Sequence, residues 1–505
     1  KLLEVKSTII EECIISLAYD QKVHIENVNG EQLIYLIPYY LSENGVCKQI
    51  IKLSQFEFEN LNIDIDEEIK YVEEENSIKL AKNQSLAVKE AIENGVVIIT
   101  GGPGTGKTTT INTIIKIFEN NKKEVILAAP TGRAAKRMSE TSGREAKTIH
   151  RLLEMGYATD SEELQFMKNE EDPITADVII IDEVSMVDVL LMYSLLRAIK
   201  PGTRLILVGD SDQLPSVGAG NVLKDMIQAE FCSVVRLHRI FRQAAESQIV
   251  MNAHRVNSGE EISLENASPD FMHLERKDSA SVINVVVQLI MQKLPPHVDA
   301  SPYDIQVLTP TRKGELGVEH LNQVLQQYMN PADAGKVERE FHGVLFREKD
   351  KVMQIKNDYQ IRWTKKTSLG DVYEEGTGVF NGDTGIIREI IPVAEQVVVE
   401  FEEGKMVEYE YSQMDEMELA YAITIHKSQG SEYPAIVLPV LGGPKMLLGR
   451  NLLYTAVTRA KKCVTTVGSS RVIQGMIHNV NEQKRFSSLC QRIKEMEEED
   501  AELNH

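Results

Sequence analysis

No stretch of this sequence approaches the roughly 18 consecutive apolar residues that a helix needs to cross a bilayer, which excludes an integral helical membrane protein. Cysteine is sparse: Cys13, Cys47, Cys232, Cys463 and Cys490 are scattered, odd in number and never arranged as C-x-x-C. That argues against structural zinc and a disulfide framework, and for a reducing cytoplasm. Positive charge is short as well, with a formal net charge of −21. Such a total discourages nucleic-acid binding, yet it is a global number and leaves room for a local basic channel. Acidic runs at Glu73–Glu75 and Glu497–Asp500 inflate it, and the second reads as a solvated tail over 491–505. Internal repeats and long low-complexity tracts are missing. So is an initiating Met: residue 1 is Lys, inside a helical pattern, so a fragment or a trimmed beginning is expected.

What is present is organised around residues 96–110, VVIITGGPGTGKTTT. Val96–Thr100 is a short continuous apolar run, the pattern of a strand buried on both faces. It leads into Gly101, Gly102, Pro103, Gly104, Thr105, Gly106, Lys107 and Thr108, which satisfy G-x-x-x-x-G-K-[ST] and run on through Thr109. Glycines let backbone N–H groups close around a triphosphate, and the following helix turns its positive end toward the same anion. Lys107 is expected on the β- and γ-phosphates, and the Thr108 hydroxyl on magnesium. The expected ligands are therefore a nucleoside triphosphate, ATP, and Mg²⁺.

At 505 residues, three or four domains are expected. Residues 1–78 combine a helix near Val5–Tyr19, strands at Val23–Val28 and Leu33–Tyr39 and a helix from about Ser42, a weak winged-helix-like pattern; a packing domain fits equally well. Buried-strand runs at Val125–Ala129, Val178–Ile181 and Arg204–Val208, alternating with helices, predict an α/β lobe with a parallel sheet over 79–240. A second series, Ile305–Leu308, Ala435–Val440 and Val464–Val467, predicts another lobe over 241–339 and 413–490. Between its halves, 340–412 carries short strands with turns at Asn381-Gly382-Asp383 and Glu403-Gly404, the pattern of an inserted antiparallel barrel.

Val178–Ile181 ends in Asp182 and Glu183, about 75 residues after the phosphate loop. Asp182 at the strand's carboxyl end can reach the Mg²⁺ shell beside Thr108, and Glu183 is placed to orient or deprotonate the attacking water. Leu205–Val208 leads into a polar loop, Gly209–Pro215, in which Gln213 can report on the γ-phosphate. Spacing alone carries the reading to a Mg²⁺-dependent NTPase.

Further motifs extend it: Ala129–Ala135 (APTGRAA), Thr148-Ile149-His150, Ile240–Gln243 (IFRQ), Thr424–Glu432 (TIHKSQGSE) and Tyr454–Arg459 (YTAVTR). With those above they fall in the order of superfamily-one helicases, and IDEVSMVD, GDSDQLPSVGAG and AYAITIHKSQGSEY resemble the RecD-like branch over about residues 80–470.

The resemblance implies two RecA-like P-loop lobes with ATP between them and single-stranded DNA across their tops. It implies a Src-homology-3-like barrel in the insertion and a β-hairpin pin at about 152–174, with Tyr157 or Phe166 as a steric wedge. It assigns Gln84 to adenine, Arg242 and Arg459 to the γ-phosphate as arginine fingers, and Gly430 and Glu432 to the second-lobe side of the nucleotide. Thr131, Arg133, Thr148, His150, Thr424 and His426 are expected on DNA, and Trp363, the only tryptophan, among Arg362, Lys365 and Lys366, as a base-stacking residue. The activity implied is ATP-driven 5′→3′ DNA unwinding by a monomeric cytoplasmic motor in repair or recombination, acting on duplex with a 5′ single-stranded tail. Rival readings are an RNA helicase or conjugative relaxase motor of the same superfamily, or a non-translocating ATP switch. The resemblance implies that longer stand-alone relatives carry helix-hairpin-helix elements ahead of the first lobe, and these are expected to be missing before Lys1.

Overall fold

The computed structural model describes residues 5–503 except 29, 59–60, 62, 158–163, 242–245, 267, 368–369 and 481–484. The first large sheet has six parallel strands in the order Ser233–Leu237, Val96–Gly101, Arg204–Gly209, Val178–Ile181, Val125–Ala129, Ala146–Thr148. Alternate residues of the strand Val96–Gly101 feed two cores. Val96 and Ile98 face a layer that includes helix Val189–Arg197, and Val97 and Ile99 face helices Lys82–Glu93 and Lys107–Asn120. The second sheet has five parallel strands, Phe271–Glu275, Ala460–Gly468, Tyr433–Val440, Gln306–Thr309 and Ala422–Thr424. Both are α/β layers, as the apolar runs predict. The strands that periodicity did not single out, Ala146–Thr148, Ser233–Leu237, Phe271–Glu275 and Ala422–Thr424, are all edge strands. One-sided burial leaves an edge strand without a long apolar run.

A seven-stranded antiparallel sheet lies between the two halves of the second lobe. It includes a long hairpin, Asp358–Lys366 with Val372–Val379, rich in charge and not anticipated as strands. Here the stacking role expected for Trp363 is corrected. The ring is 7% exposed and packs in the barrel core on Gly376 of the neighbouring strand, where a Cβ would lie 2.4 Å away. Lys365 and Lys405 stand over it at 5.7 and 5.2 Å, so neither face is open to a base.

Two further expectations change. The second N-terminal helix starts at Ile37 rather than near Ser42, with Pro38 in its first turn, and runs to Ser54. Its Val46, Cys47, Ile50, Ile51 and Leu53 enter the first-lobe core, so this segment packs as part of that lobe. The acidic tail is a helix, Leu489–Leu503, whose Leu489 and Ile493 lie in the same core while Glu497–Glu499 face solvent. The chain therefore returns to the first lobe after finishing the second. Among the described residues no helix is long and apolar enough to cross a membrane.

Candidate active site

The phosphate loop joins strand Val96–Gly101 to helix Lys107–Asn120 at the carboxyl edge of the first sheet. Gly106 caps the helix at φ +79°, and a Cβ there would fall 2.3 Å from the Gln84 amide nitrogen. Lys107 folds its ammonium over the loop, donating to the carbonyls of Gly101 and, at 3.3 Å, Gly102. Thr105 closes the turn by donating to Gly102 at 2.8 Å. Pro103 and Gly104 are touched from beyond the lobe: His254 Nε2 is 3.1 Å from the Pro103 carbonyl, and Phe241 N–H donates to Gly104 at 3.3 Å. Gln84 accepts from Ala81 N–H at 2.8 Å and donates to the Gly106 carbonyl at 3.1 Å. Both ends of its amide thus brace the loop against helix Lys82–Glu93.

Thr108 and Asp182 line one small crevice, and Thr109 is half-buried one residue on. Asp182 Oδ1 accepts from Glu183 N–H at 2.8 Å. Burial, with Glu183 beside it, pushes Asp182 up to about 6, against the pull of Arg137 and Lys107. A hydroxyl and a carboxylate at a phosphate site are the hard oxygen donors that Mg²⁺ takes alongside phosphate and water, so these residues fit the ion. Glu183 is buried and held at φ +53°, a sparsely populated region for a residue with a side chain.

The facing wall comes from the second lobe. Arg459 is 2% exposed; it donates to Gln213 Oε1 at 3.1 Å, to the Ser431 carbonyl at 3.3 Å and to the Thr455 carbonyl at 3.2 Å. Gln213 in turn donates to Asp210 Oδ2 at 3.1 Å, and the Tyr454 hydroxyl donates to the same oxygen at 2.7 Å. Burial raises Asp210, and the nearby Lys107 charge is the largest opposing influence. Two more bonds cross here: Thr455 Oγ1 accepts from Leu214 N–H at 3.0 Å, and Gln429 donates to the Leu214 carbonyl at 2.6 Å. Glu432 pairs with Arg137 at 2.9 Å and Lys461 at 3.6 Å, with Gly430 at the turn before it. Arg242 lies outside the described residues.

Of the residues expected on DNA, Arg133 needs correction. It bonds Ser431 Oγ at 2.8 Å, the Tyr433 hydroxyl at 3.0 Å and Thr384 Oγ1 of the barrel, so its guanidinium is committed to joining lobes and barrel rather than to a phosphate. Thr131 and Thr148 cap helices, accepting from Ala134 and Arg151 N–H at 3.3 and 3.1 Å. His150 is half-buried between Phe166 of the Met155–Tyr157/Leu164–Phe166 hairpin and Tyr359 of the barrel, and burial lowers its pKa. Thr424 accepts from Lys427 N–H at 3.3 Å. Arg133 and Thr148 share a cavity of about 340 Å³ against the barrel, whereas His426, also lowered by burial, lines a different one of about 330 Å³.

The motif order has counterparts among known proteins. Residues 84–219 match the AAA domain family, 321–401 the SH3 domain of ATP-dependent RecD-like DNA helicases, and 419–467 the UvrD-like helicase C-terminal domain. The RecBCD enzyme subunit RecD of Mycobacterium tuberculosis is 30% identical over 440 residues, covering 78% of this chain and 70% of that protein. The chain belongs to the RecD-like family of superfamily-one helicases. The ATP-dependent RecD2 DNA helicase of Deinococcus radiodurans is 36% identical over 416 residues, 82% of this chain, and the chain spans about half (52%) of that relative's length. A crystal structure of Bacteroides Pif1 bound to single-stranded DNA aligns at 19% identity and a TM-score of 0.42, over 78% of this chain and 94% of that one, too distant to carry an argument.

For this RecD-like chain, sequence reasoning passed over four groups at the cleft. Arg137 stands one helical turn beyond Arg133, and that i,i+4 spacing was the available signal. Tyr454 and Thr455 lie inside a quoted motif without an assigned task. His254 has no local signature at all.

Proposed function

We propose that the chain is the motor of an ATP-driven DNA helicase, moving 5′ to 3′ on a single strand and unwinding duplex from a 5′ tail. The observation that carries this reading is the buried Arg459–Gln213–Asp210–Tyr454 chain, which couples the second lobe to the strand ends that hold the phosphate loop. In the reaction, Lys107 exchanges its loop carbonyls for β- and γ-phosphate oxygens. Thr108 and Asp182 would hold Mg²⁺, which supplies charge neutralisation for the phosphates. Glu183 takes the proton of the attacking water as its oxygen bonds to the γ-phosphorus and the bridge to the β-phosphate breaks. Arg459, and Arg242 by its motif, add fixed positive charge that cannot be lost by deprotonation. The chain has the division of labour of a motor: one lobe binds, the other completes the site, and relative movement of the lobes shifts strand contacts at Thr131 and Thr148 against those at Thr424 and His426. The same reading extends to work in repair or recombination, as a monomeric motor in the cytoplasm.

Strand separation on matched forks bearing a 5′ or a 3′ single-stranded tail tests the reading. ATP-dependent unwinding of the 5′-tailed DNA fork alone is expected. Preference for the 3′ tail would reverse the polarity, and activity confined to RNA tails would replace the substrate.

A further inference from the structure

A single guanidinium nitrogen of Arg137 is shared between two carboxylates from opposite lobes. Its Nη1 lies 2.9 Å from Glu432 Oε1 of the second lobe and 3.5 Å from Glu183 Oε1 of the first. The first distance is a normal charge-assisted hydrogen bond and the second is at the outer limit of one. Arg137 projects from helix Gly132–Ser142, and its side chain lines both the Thr108–Asp182 crevice and a cavity of about 280 Å³ on the far side, between that helix, the 430–434 turn and the barrel. It is thus the partition at the back of the cleft. Lys461, 3.6 Å from Glu432, is a second cation near this pair, and it approaches from the second lobe.

We propose that Arg137 is a positioning residue that ties the availability of Glu183 to closure of the lobes. The proposal rests on the helicase reading, in which Glu183 receives the water proton. With the lobes together, as here, Glu432 draws the guanidinium to itself and leaves the Glu183 oxygen loosely held, free to accept from water. With the lobes apart, Glu432 departs with Lys461, and Arg137 is left with the first-lobe carboxylates, Asp182 nearby and Glu183 the one already at 3.5 Å. A Glu183 oxygen in a full ion pair with Arg137 is turned away from the water and occupied. Hydrolysis is thereby suppressed until closure supplies Glu432. The exchange needs no new contact: one nitrogen changes partners.

The test is a double-mutant cycle on kcat, with and without saturating single-stranded DNA, alongside wild type. Arg137→Ala, with Arg137→Gln as a variant that keeps more of the packing, is expected to raise DNA-free turnover roughly tenfold and leave the DNA-stimulated rate nearly unchanged, so the stimulation ratio collapses. Glu432→Gln is expected to act in the opposite sense, lowering DNA-stimulated turnover roughly tenfold toward the DNA-free rate. In the Arg137→Ala background Glu432→Gln should then have no further effect, because its target is gone. A purely structural role would not give opposite signs or this order of dependence. Three results overturn the proposal: Arg137 variants that lose turnover equally with and without DNA, an unchanged stimulation ratio, or an undiminished Glu432→Gln effect in the absence of Arg137. Wild type without DNA-stimulated hydrolysis would instead overturn the helicase reading, and the proposal with it.

Discussion

In the first lobe, the wall that faces the triphosphate is one unbroken run of backbone, Gly101–Thr109, whose hydrogen bonds are almost all closed within the lobe. In the second lobe, the opposing wall is made of groups from separate segments: the Arg459 and Tyr454 side chains from one, the Ser431 carbonyl and Glu432 side chain from another, His254 from a third. The first wall exists whether or not the lobes meet. The second exists only when they do, because Gln213, Asp210, Leu214 and Pro103 on the first lobe are its hydrogen-bond partners. Under the proposed function, binding is built into the contiguous wall, and turnover into the assembled one.

The largest effects should follow from damage to the first wall. Lys107→Ala should weaken ATP binding and end measurable turnover, since no other cation approaches the Gly101 and Gly102 carbonyls among the described residues. Glu183→Gln should part binding from chemistry: ATP binds and persists while turnover falls by about 10²–10⁴, the usual worth of a general base. Nucleotide-binding titrations beside steady-state ATPase assays check both. Hydrolysis at the original rate in Glu183→Gln would remove that residue from the role.

Damage to the second wall should look different. Arg459→Ala should change ATP affinity modestly, while DNA-stimulated turnover drops by about 10³ or more and translocation disappears with it. Affinity for single strands without nucleotide should stay near that of wild type. Near-normal turnover would erase the distinction between the walls. Tyr454→Phe is a milder cut at the same seam. It removes the 2.7 Å donor to a buried Asp210 carboxylate and leaves Gln213 as the remaining side-chain donor, at 3.1 Å. The expected cost is a fall of about tenfold in stimulated turnover, from the loss of a charge-assisted bond worth about 1.5–3 kcal/mol.

The same contrast explains what could be read in the sequence. The phosphate loop, Asp182-Glu183 and the two parallel sheets are local patterns, in which one apolar run ends in one polar turn and neighbours in sequence are neighbours in space. The motif order gave the second-lobe arginine at 459, and the short strands and turns of 340–412 gave the barrel. It did not reveal that Arg133 is spent joining Ser431, Tyr433 and Thr384, since those partners lie about 250–300 residues away and follow no period. Trp363 was misjudged for a related reason. Cations beside an aromatic in sequence suggest a nucleic-acid platform, but strand alternation and the opposing Gly376 turn the ring into the barrel. The acidic C-terminus was read from charge alone, while the few apolar residues, Leu489 and Ile493, decide where that helix docks.

The last predicted effect is on stability rather than turnover, and concerns a lysine that serves the seam without touching the nucleotide wall. Lys351, in the first strand of the seven-stranded sheet, is 7% exposed and donates to the Tyr303 carbonyl at 2.6 Å and to Gln306 Oε1 at 3.0 Å, rooting the barrel on the second lobe. Burial, helped by the Arg133 charge, brings it down to about 7 from 10.5, with Asp304 and Glu402 too weak to offset this. Between those two pH values the unfolded chain holds one more proton than the folded chain, so stability rises with pH across the window. Below about pH 7 both states carry the proton, and the cost of burying an ammonium is fully present. Lys351→Met deletes the titration and also leaves two buried acceptors without a donor, so the mutant starts from an offset of its own. The informative quantity is the change in that offset: between pH 6 and pH 9 the wild type should gain on Lys351→Met by about 3 kcal/mol. Thermal unfolding of both proteins across that range reads it directly, because the other titrating groups are common to both and cancel. A difference that stays constant from pH 6 to 9 would mean that Lys351 keeps its proton throughout, and that the seam is wetter than its burial implies.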